Sequence, residues 1–278
     1  MIVSIASGKG GTGKTTVAVS LALSCEDTQL LDCDVEEPNV HVLLKPKISE
    51  TSPVNVSFPS ILEERCDYCR KCAEFCEYHA LSVIPDQVLV FPELCHDCGG
   101  CGLVCPRDAI TFDERIIGQV MTGSANGIDV VYGELKVGEP HAIPVIDAVK
   151  KRIRKDRLAL VDCPPGTSCP VVASIHRSDY CLLVTEPTPF GLHDLEIAVE
   201  VVRRLGIPFG VVINRAGIGD KKVHEYCKEE RIPILLEIPF ERRIAELYAQ
   251  GIPFVLEIPE WKKQFRSLME SVKEEVRS

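Results

Sequence analysis

Eight cysteines carry the most specific chemistry in this chain. They fall in two runs, Cys66-x2-Cys69-x2-Cys72-x3-Cys76 and Cys95-x2-Cys98-x2-Cys101-x3-Cys105, the second starting 29 residues after the first. Three thiolates spaced in this way close on one face of an iron–sulfur cubane, and a fourth, carried past a turn, reaches a neighbouring cubane. The spacing therefore predicts two [4Fe–4S] clusters, one held by Cys66, Cys69, Cys72 and Cys105, the other by Cys76, Cys95, Cys98 and Cys101. Structural zinc is disfavoured, because zinc sites pair two C-x2-C knuckles instead of placing three cysteines in tandem. Disulfides need an oxidising compartment, and the opening stretch Met1–Gly11 lacks the basic, apolar leader that would direct a chain there.

Each cysteine run is followed by a similar stretch, His79-Ala-Leu-Ser-Val83 after the first and Asp108-Ala-Ile-Thr-Phe112 after the second, so the unit is duplicated. Residues 58–113 resemble the bacterial ferredoxins with two [4Fe–4S] clusters. Glu77 departs from that pattern, standing where the family has a proline after the fourth cysteine. The proline shapes a turn and is not a ligand, so the ligand set is unaffected.

A second chemistry lies at the start of the chain. The apolar Ile2–Ala6 precedes Gly8-Lys-Gly-Gly-Thr-Gly-Lys-Thr15, which matches G-x4-G-K-T between a strand and a helix. In such a loop the backbone N–H groups of Gly8, Lys9, Gly10, Gly11, Thr12 and Gly13 cradle phosphate at a helix N-terminus that continues through Thr16. Lys14 reaches the β- and γ-phosphates of ATP, and Thr15 is placed to ligate Mg²⁺. With its second lysine, Lys9, the stretch KGGTGKTT resembles the deviant Walker A of the MinD/ParA/Mrp and nitrogenase iron-protein class. That resemblance implies an ATP-dependent homodimer in which Lys9 acts on the partner's nucleotide.

Further segments follow in the order of that class. Leu30-Leu-Asp-Cys-Asp-Val-Glu-Glu-Pro-Asn39 resembles its switch I, which implies that Asp34 orients the attacking water. Leu158–Gly166 resembles Walker B and switch II, with Asp162 holding Mg²⁺. Val211–Gly217 resembles the strand-end asparagine segment, which makes Asn214 the adenine reader. The resemblance covers residues 1–57 and 114–278, so the chain is similar to MinD-superfamily ATPases with a ferredoxin domain, 58–113, inserted between switch I and Walker B.

The elements that must hold these motifs are those of an α/β P-loop fold. Apolar strands near 180–184, 208–213 and 234–238 alternate with helical stretches near 192–206, 220–230 and 241–250, the rhythm of a mostly parallel sheet, with Pro208, Pro233 and Pro253 at the returns to strand. Residues 114–140 suggest a β-hairpin at the sheet edge, without an assigned chemical role. From Trp261, Phe265, Leu268, Met269, Val272 and Val276 recur at helical spacing, and acidic residues on the polar face favour docking on the core over membrane binding. Cys25, Cys33, Cys181 and Cys227 read as small core hydrophobes. Cys163 and Cys169 flank the switch II turn; a dimer-bridging cluster on Cys169 is the minor reading.

A formal net charge of −10 argues against nucleic-acid binding, which needs clustered cations. The one basic run, Lys150–Arg157, is expected to be a solvated helix end. No apolar stretch approaches the roughly 18 residues of a membrane span, and a cytoplasmic protein is expected. The leading expectation is an ATPase whose dimerisation gates electron transfer through both clusters to a redox partner. An iron–sulfur cluster carrier of the Mrp type, passing clusters to a recipient protein, is the alternative, and a positioning ATPase ranks below both because a ferredoxin would serve no purpose in it.

Overall fold

The computed structural model describes residues 1–277. The chain opens with β1 (Ile2–Ala6), α1 (Lys14–Ser24), β2 (Thr28–Asp32), the short α2 (Val40–Leu44) and a long β3 (Lys47–Ile61). Next come α3 (Lys71–Phe75), β4 (Leu81–Ile84), β5 (Gln87–Val90), α4 (Gly100–Leu103), β6 (Ile110–Ala125) and β7 (Ile128–Leu135). The remainder alternates α5 (Ile143–Lys150), β8 (Leu158–Asp162), α6 (Cys169–Ile175), β9 (Tyr180–Thr185), α7 (Pro189–Arg204), β10 (Phe209–Ala216), α8 (Lys222–Glu229) and β11 (Ile234–Pro239). It closes with α9 (Arg242–Ala249), α10 (Phe254–Glu257) and α11 (Glu260–Arg277).

Nine strands form one sheet in the order β11-β10-β9-β1-β8-β2-β7-β6-β3, and β4 pairs with β5 separately. From β11 to β7 every neighbouring pair is parallel. The central strands β1, β2, β8 and β9 are apolar runs buried on both faces, as a parallel sheet covered by helices requires. Side chains of α5, α6, α7 and α8 cover one face of the sheet. The other face is covered by α1, α2, α10 and α11.

The sheet edge differs from the sequence expectation. A hairpin does form, turning at Asn126-Gly127, both in the left-handed region that this tight turn needs. Its second strand, β7, lies inside the sheet against β2. The edge strand is β3, which no periodic signal announces. Pro53 sits within it and is tolerated there because only one side of an edge strand is paired. β3 and β6 pair from Lys47 opposite Ser124 to Ile61 opposite Ile110, with register shifts after Ile48 and Val54, and the ladder continues past residues 58 and 113. Leu62 N–H then donates to the Ala109 carbonyl at 2.8 Å.

Two local expectations need correction. Lys150 is not a solvated cation: its ammonium donates to the carbonyls of Ala173, Ser174 and His176, each at 2.7 Å, and so closes the end of α6. Pro253 precedes α10, a helix rather than a strand. The C-terminal helix docks as expected, burying Phe265, Leu268, Met269 and Val272, while Val276 stays partly exposed. Among the described residues no helix is long and apolar enough to cross a membrane.

Phe265 is fully buried and packs beside the rings of Phe254 and Trp261. Phe265→Ala is expected to destabilise the fold by about 3–5 kcal/mol through lost burial and the cavity left behind. Urea unfolding followed by the fluorescence of the single tryptophan, Trp261, checks this; an unchanged midpoint would show that α11 is not part of the core.

Candidate functional site

The phosphate loop leaves β1 and turns into α1 through Gly13, whose φ of 94° suits glycine alone. A Cβ on Gly8 would lie 2.1 Å from the Asp194 carbonyl oxygen of α7, so loop and helix pack too closely for a side chain. Lys14 is buried at the head of α1. Gly10, Gly11, Gly13, Lys14, Thr15 and Thr16 line a cleft of about 400 Å³ that also takes in Asp34 and Asn214, with an apolar wall of Ile238, Pro239 and Phe240. That is the size and mix of lining of a small-molecule pocket.

Two aspartates are buried at strand ends near the loop's Lys14 and Thr15. Asp32 and Asp162 end the adjacent parallel strands β2 and β8 and lie directly opposite each other in register. Asp32 accepts backbone N–H groups from Asp34 at 3.0 Å, Asn39 at 2.9 Å and Val40 at 3.0 Å, and so pins the segment 34–40. Burial still pushes its carboxyl up to about 7, against those three donors. Asp162 is driven up further by burial and by the Asp32 charge; Thr15 lies close enough to favour the ionised form, yet neither Asp162 oxygen receives a hydrogen bond. Asp34, lining the cleft, is raised to about 6 by burial against the pull of Lys14. Asp162, with both oxygens unpartnered beside the Thr15 hydroxyl, offers hard-oxygen chemistry that fits a divalent cation such as Mg²⁺.

Lys9 does not project freely. Its ammonium meets Glu186 Oε1 at 2.5 Å, and Arg215 holds Glu186 Oε2 at 2.9 Å. Burial opposes the Glu186 charge, but the two cations outweigh it and hold the carboxyl below its usual range. The Asn214 amide donates to the Thr12 carbonyl at 2.7 Å, and its oxygen accepts Arg215 N–H at 2.9 Å. One amide N–H and one oxygen lone pair remain for a ligand.

The cysteines sort into two groups. Cys66, Cys69, Cys72 and Cys105 line one hollow. Cys76, Cys95, Cys98 and Cys101 line another. Among the described residues no three His, Cys, Asp or Glu side chains converge as they would around a single metal ion. The duplication in sequence recurs in the backbone at the same offset: Ala80 N–H donates to Cys76 Sγ at 3.4 Å and Ala109 N–H to Cys105 Sγ at 3.3 Å. Left-handed residues repeat likewise at Tyr68 and Asp97, Arg70 and Gly99, His79 and Asp108. Of the switch II pair, Cys163 is buried, its thiol raised to about 12 by burial and by Asp162, whereas Cys169 is exposed at the start of α6.

Sequence reasoning missed the work of Asp32 and Glu186. Asp32 had a local signal as the first acid of D-x-D. Glu186 had none, because its partner Lys9 lies 177 residues away in the phosphate loop.

Residues 3–254 match the family described as CobQ/CobB/MinD/ParA nucleotide binding domain. An uncharacterised protein of Methanocaldococcus jannaschii is 33% identical over 262 residues, covering 92% of this chain and 91% of its own length. A protein of the same organism named iron-sulfur cluster carrier protein is 25% identical, covering 98% and 83%. Among solved structures, the septum site-determining protein MinD complexed with Mg-ADP from Pyrococcus horikoshii superposes with a TM-score of 0.60 at 21% identity, covering 98% of this chain and 95% of that one. The cell division ATPase MinD of Pyrococcus furiosus gives 0.59 at 23%, covering 98% of each. With a phosphate loop at the head of a MinD-like parallel sheet, the chain belongs to the CobQ/CobB/MinD/ParA family of nucleotide-binding domains.

Proposed function

We propose that this protein is an ATPase whose nucleotide-dependent homodimerisation gates electron transfer through two [4Fe–4S] clusters to a partner redox protein. Residues 58–113 form an inserted ferredoxin domain within an ATPase domain made of 1–57 and 114–278. The observation that carries the reading is the sorting of eight thiols into two separate groups of four, each crossing between the two runs. Four thiolates, with amide N–H groups already directed at two of the sulfurs, fit a cubane, whose bulk keeps its ligands further apart than a single ion does.

On the nucleotide side, Lys14 binds the β- and γ-phosphates of ATP, with the loop amides beside it. Thr15 and Asp162 hold Mg²⁺, which neutralises charge on the phosphates when bound. Asp34 orients the attacking water, and Asn214 turns its remaining polar groups to the adenine edge. Lys9 must exchange Glu186 for the nucleotide of the partner subunit, so the Lys9–Glu186 pair belongs to the monomer. ATP and ADP then favour different arrangements of the segment 34–40, which the Asp32 carboxylate ties to the sheet.

The relatives named iron-sulfur cluster carrier protein favour a second reading, transfer of clusters to a recipient protein. Donated clusters need ligands that are easily replaced. Two full sets of four thiols support retained clusters and electron transfer.

Protein purified without oxygen is expected to carry about eight iron atoms and eight acid-labile sulfides per chain, with a low-potential response typical of all-cysteine ligation; metal analysis that found zinc instead would remove the basis of the reading. Lys14→Ala should lower ATP hydrolysis by about 100-fold or more, by removing a charge that neutralises the transferring phosphoryl group, and leave the iron content unchanged. Lys9→Ala should lose ATP-dependent dimerisation in sedimentation measurements, whereas Asp34→Ala should accumulate the ATP-bound dimer. Stopped-flow electron transfer to an acceptor should depend on ATP in the wild type and on no nucleotide in Lys9→Ala. Equal rates with ATP, ADP and no nucleotide would move the assignment to cluster transfer.

A further inference from the structure

One cluster of charged and aromatic side chains runs from β6 and the stretch after β7 to the second cysteine hollow. Arg115 of β6 pairs with both oxygens of Glu139, and Glu139 Oε1 lies 2.9 Å from His141 Nδ1. These side chains are 19%, 6% and 12% exposed, so the three form a built interior contact, not a surface pair. The His141 ring meets the His96 ring edge-on at 4.2 Å between centroids and 89° between planes. His96 in turn stacks on Tyr78 at 3.6 Å and 11°. Tyr78 and His96 line the hollow of Cys76, Cys95, Cys98 and Cys101.

At its other end the same connection reaches the nucleotide side. Residues 136–142 join β7 to α5, and just before them Leu135 N–H donates to the Val35 carbonyl at 2.8 Å. Val35 follows Asp34 directly, and a Cβ on Gly133 of β7 would lie 2.7 Å from it. One hollow is lined jointly by Asp34, Val35, Glu37, Ala142, Pro165 and Ser168, that is, by the two switch segments and the residue after His141. A displacement of the segment 34–37 therefore meets Gly133 and Leu135 of β7, the strand that leads into this connection, and His141 is where the connection presses on the cysteine module. Packed side chains transmit displacement because the interior is too dense to absorb it.

We infer that His141 is a positioning residue that couples the nucleotide switches to the second cysteine group through its ring contact with His96. This rests on the nucleotide-gated reading above and deepens it, by naming which cluster responds and through which contact. The coupling is steric, carried by the ring edge against His96 and by the Arg115–Glu139 pair that holds His141 in place. It also gives the segment after β7 a role that its sequence did not disclose.

The test uses cluster-loaded, full-length protein with ADP or a non-hydrolysable ATP analogue. In the wild type, exchanging one nucleotide for the other should shift the midpoint potential of one cluster by at least about 41 mV, a fivefold coupling converted at 59 mV per tenfold for one electron. Amide hydrogen exchange across residues 92–99 should change by about fivefold or more in the same comparison. His141→Ala should keep basal ATP hydrolysis and cluster content but lose both responses, and His141→Phe, which retains a ring, should keep them. His96→Ala removes the contact from the other side and should lose the responses equally, with no further loss in the double variant. Responses that persist in His141→Ala or His96→Ala overturn this inference and leave nucleotide gating standing. No response in the wild type overturns both.

Discussion

Two carboxyl groups forced side by side at the buried ends of adjacent parallel strands set the terms for the nucleotide site. Register puts Asp32 opposite Asp162, and neither reaches water. Burying one carboxylate is costly, and a second like charge beside it adds to the cost. The chain treats the two acids differently. Three amide donors from the segment 34–40 satisfy Asp32, so the price of its burial fixes the backbone that carries Asp34. Asp162 receives no such donors, and both of its oxygens stay without a hydrogen-bond partner beside the phosphate loop. A slip of one residue between β2 and β8 would turn one of the two side chains to the other face and dissolve both arrangements at once.

The loop side of the cleft shows the same economy of partners. Lys14 is enclosed by the fold, whereas Lys9 is held by an ion pair that another anion can replace. Lys9 is partly exposed while Glu186 is buried, so the carboxylate needs its cations more than the lysine needs the pair. Arg215 holds the other Glu186 oxygen, so the acid has a second cation beside Lys9. Glu186 thus receives one cation from the phosphate loop and one from the end of β10, and its position after β9 depends on the parallel order of the sheet.

What could be read from the sequence was what is local in it. The cysteine spacings, the glycine loop and the alternation of strand and helix each lie within a few tens of residues and carry their own geometry. The duplicated unit was legible down to its turns, since the backbone repeats at the offset of the sequence. The inner place of β7, the edge place of β3 and the Lys9–Glu186 pair were not legible, because they join residues far apart in the chain. In β3, Pro53 and scattered serines mask the alternation that marks a strand, and pairing with β6 overrides that weak propensity. Lys150 shows the converse: its charge pattern suggested water, and only the tertiary fold brings the end of α6 beneath it.

The ribbon of β3 and β6 has a consequence for how such a molecule is assembled from parts. The chain leaves the sheet at Ile61 and re-enters it at Ile110, its partner across the ladder. Neighbouring strands lie only about 4.8 Å apart, a gap that a two-residue turn closes as readily as a folded module does. Since the entropy of closing a loop grows slowly with its length, the sheet is nearly indifferent to what is spliced between those two residues. The cysteine segment is in this sense spliced between paired residues: a change in its length need not re-register a strand, and β7 alone separates the strands that host it from the one that carries Asp32.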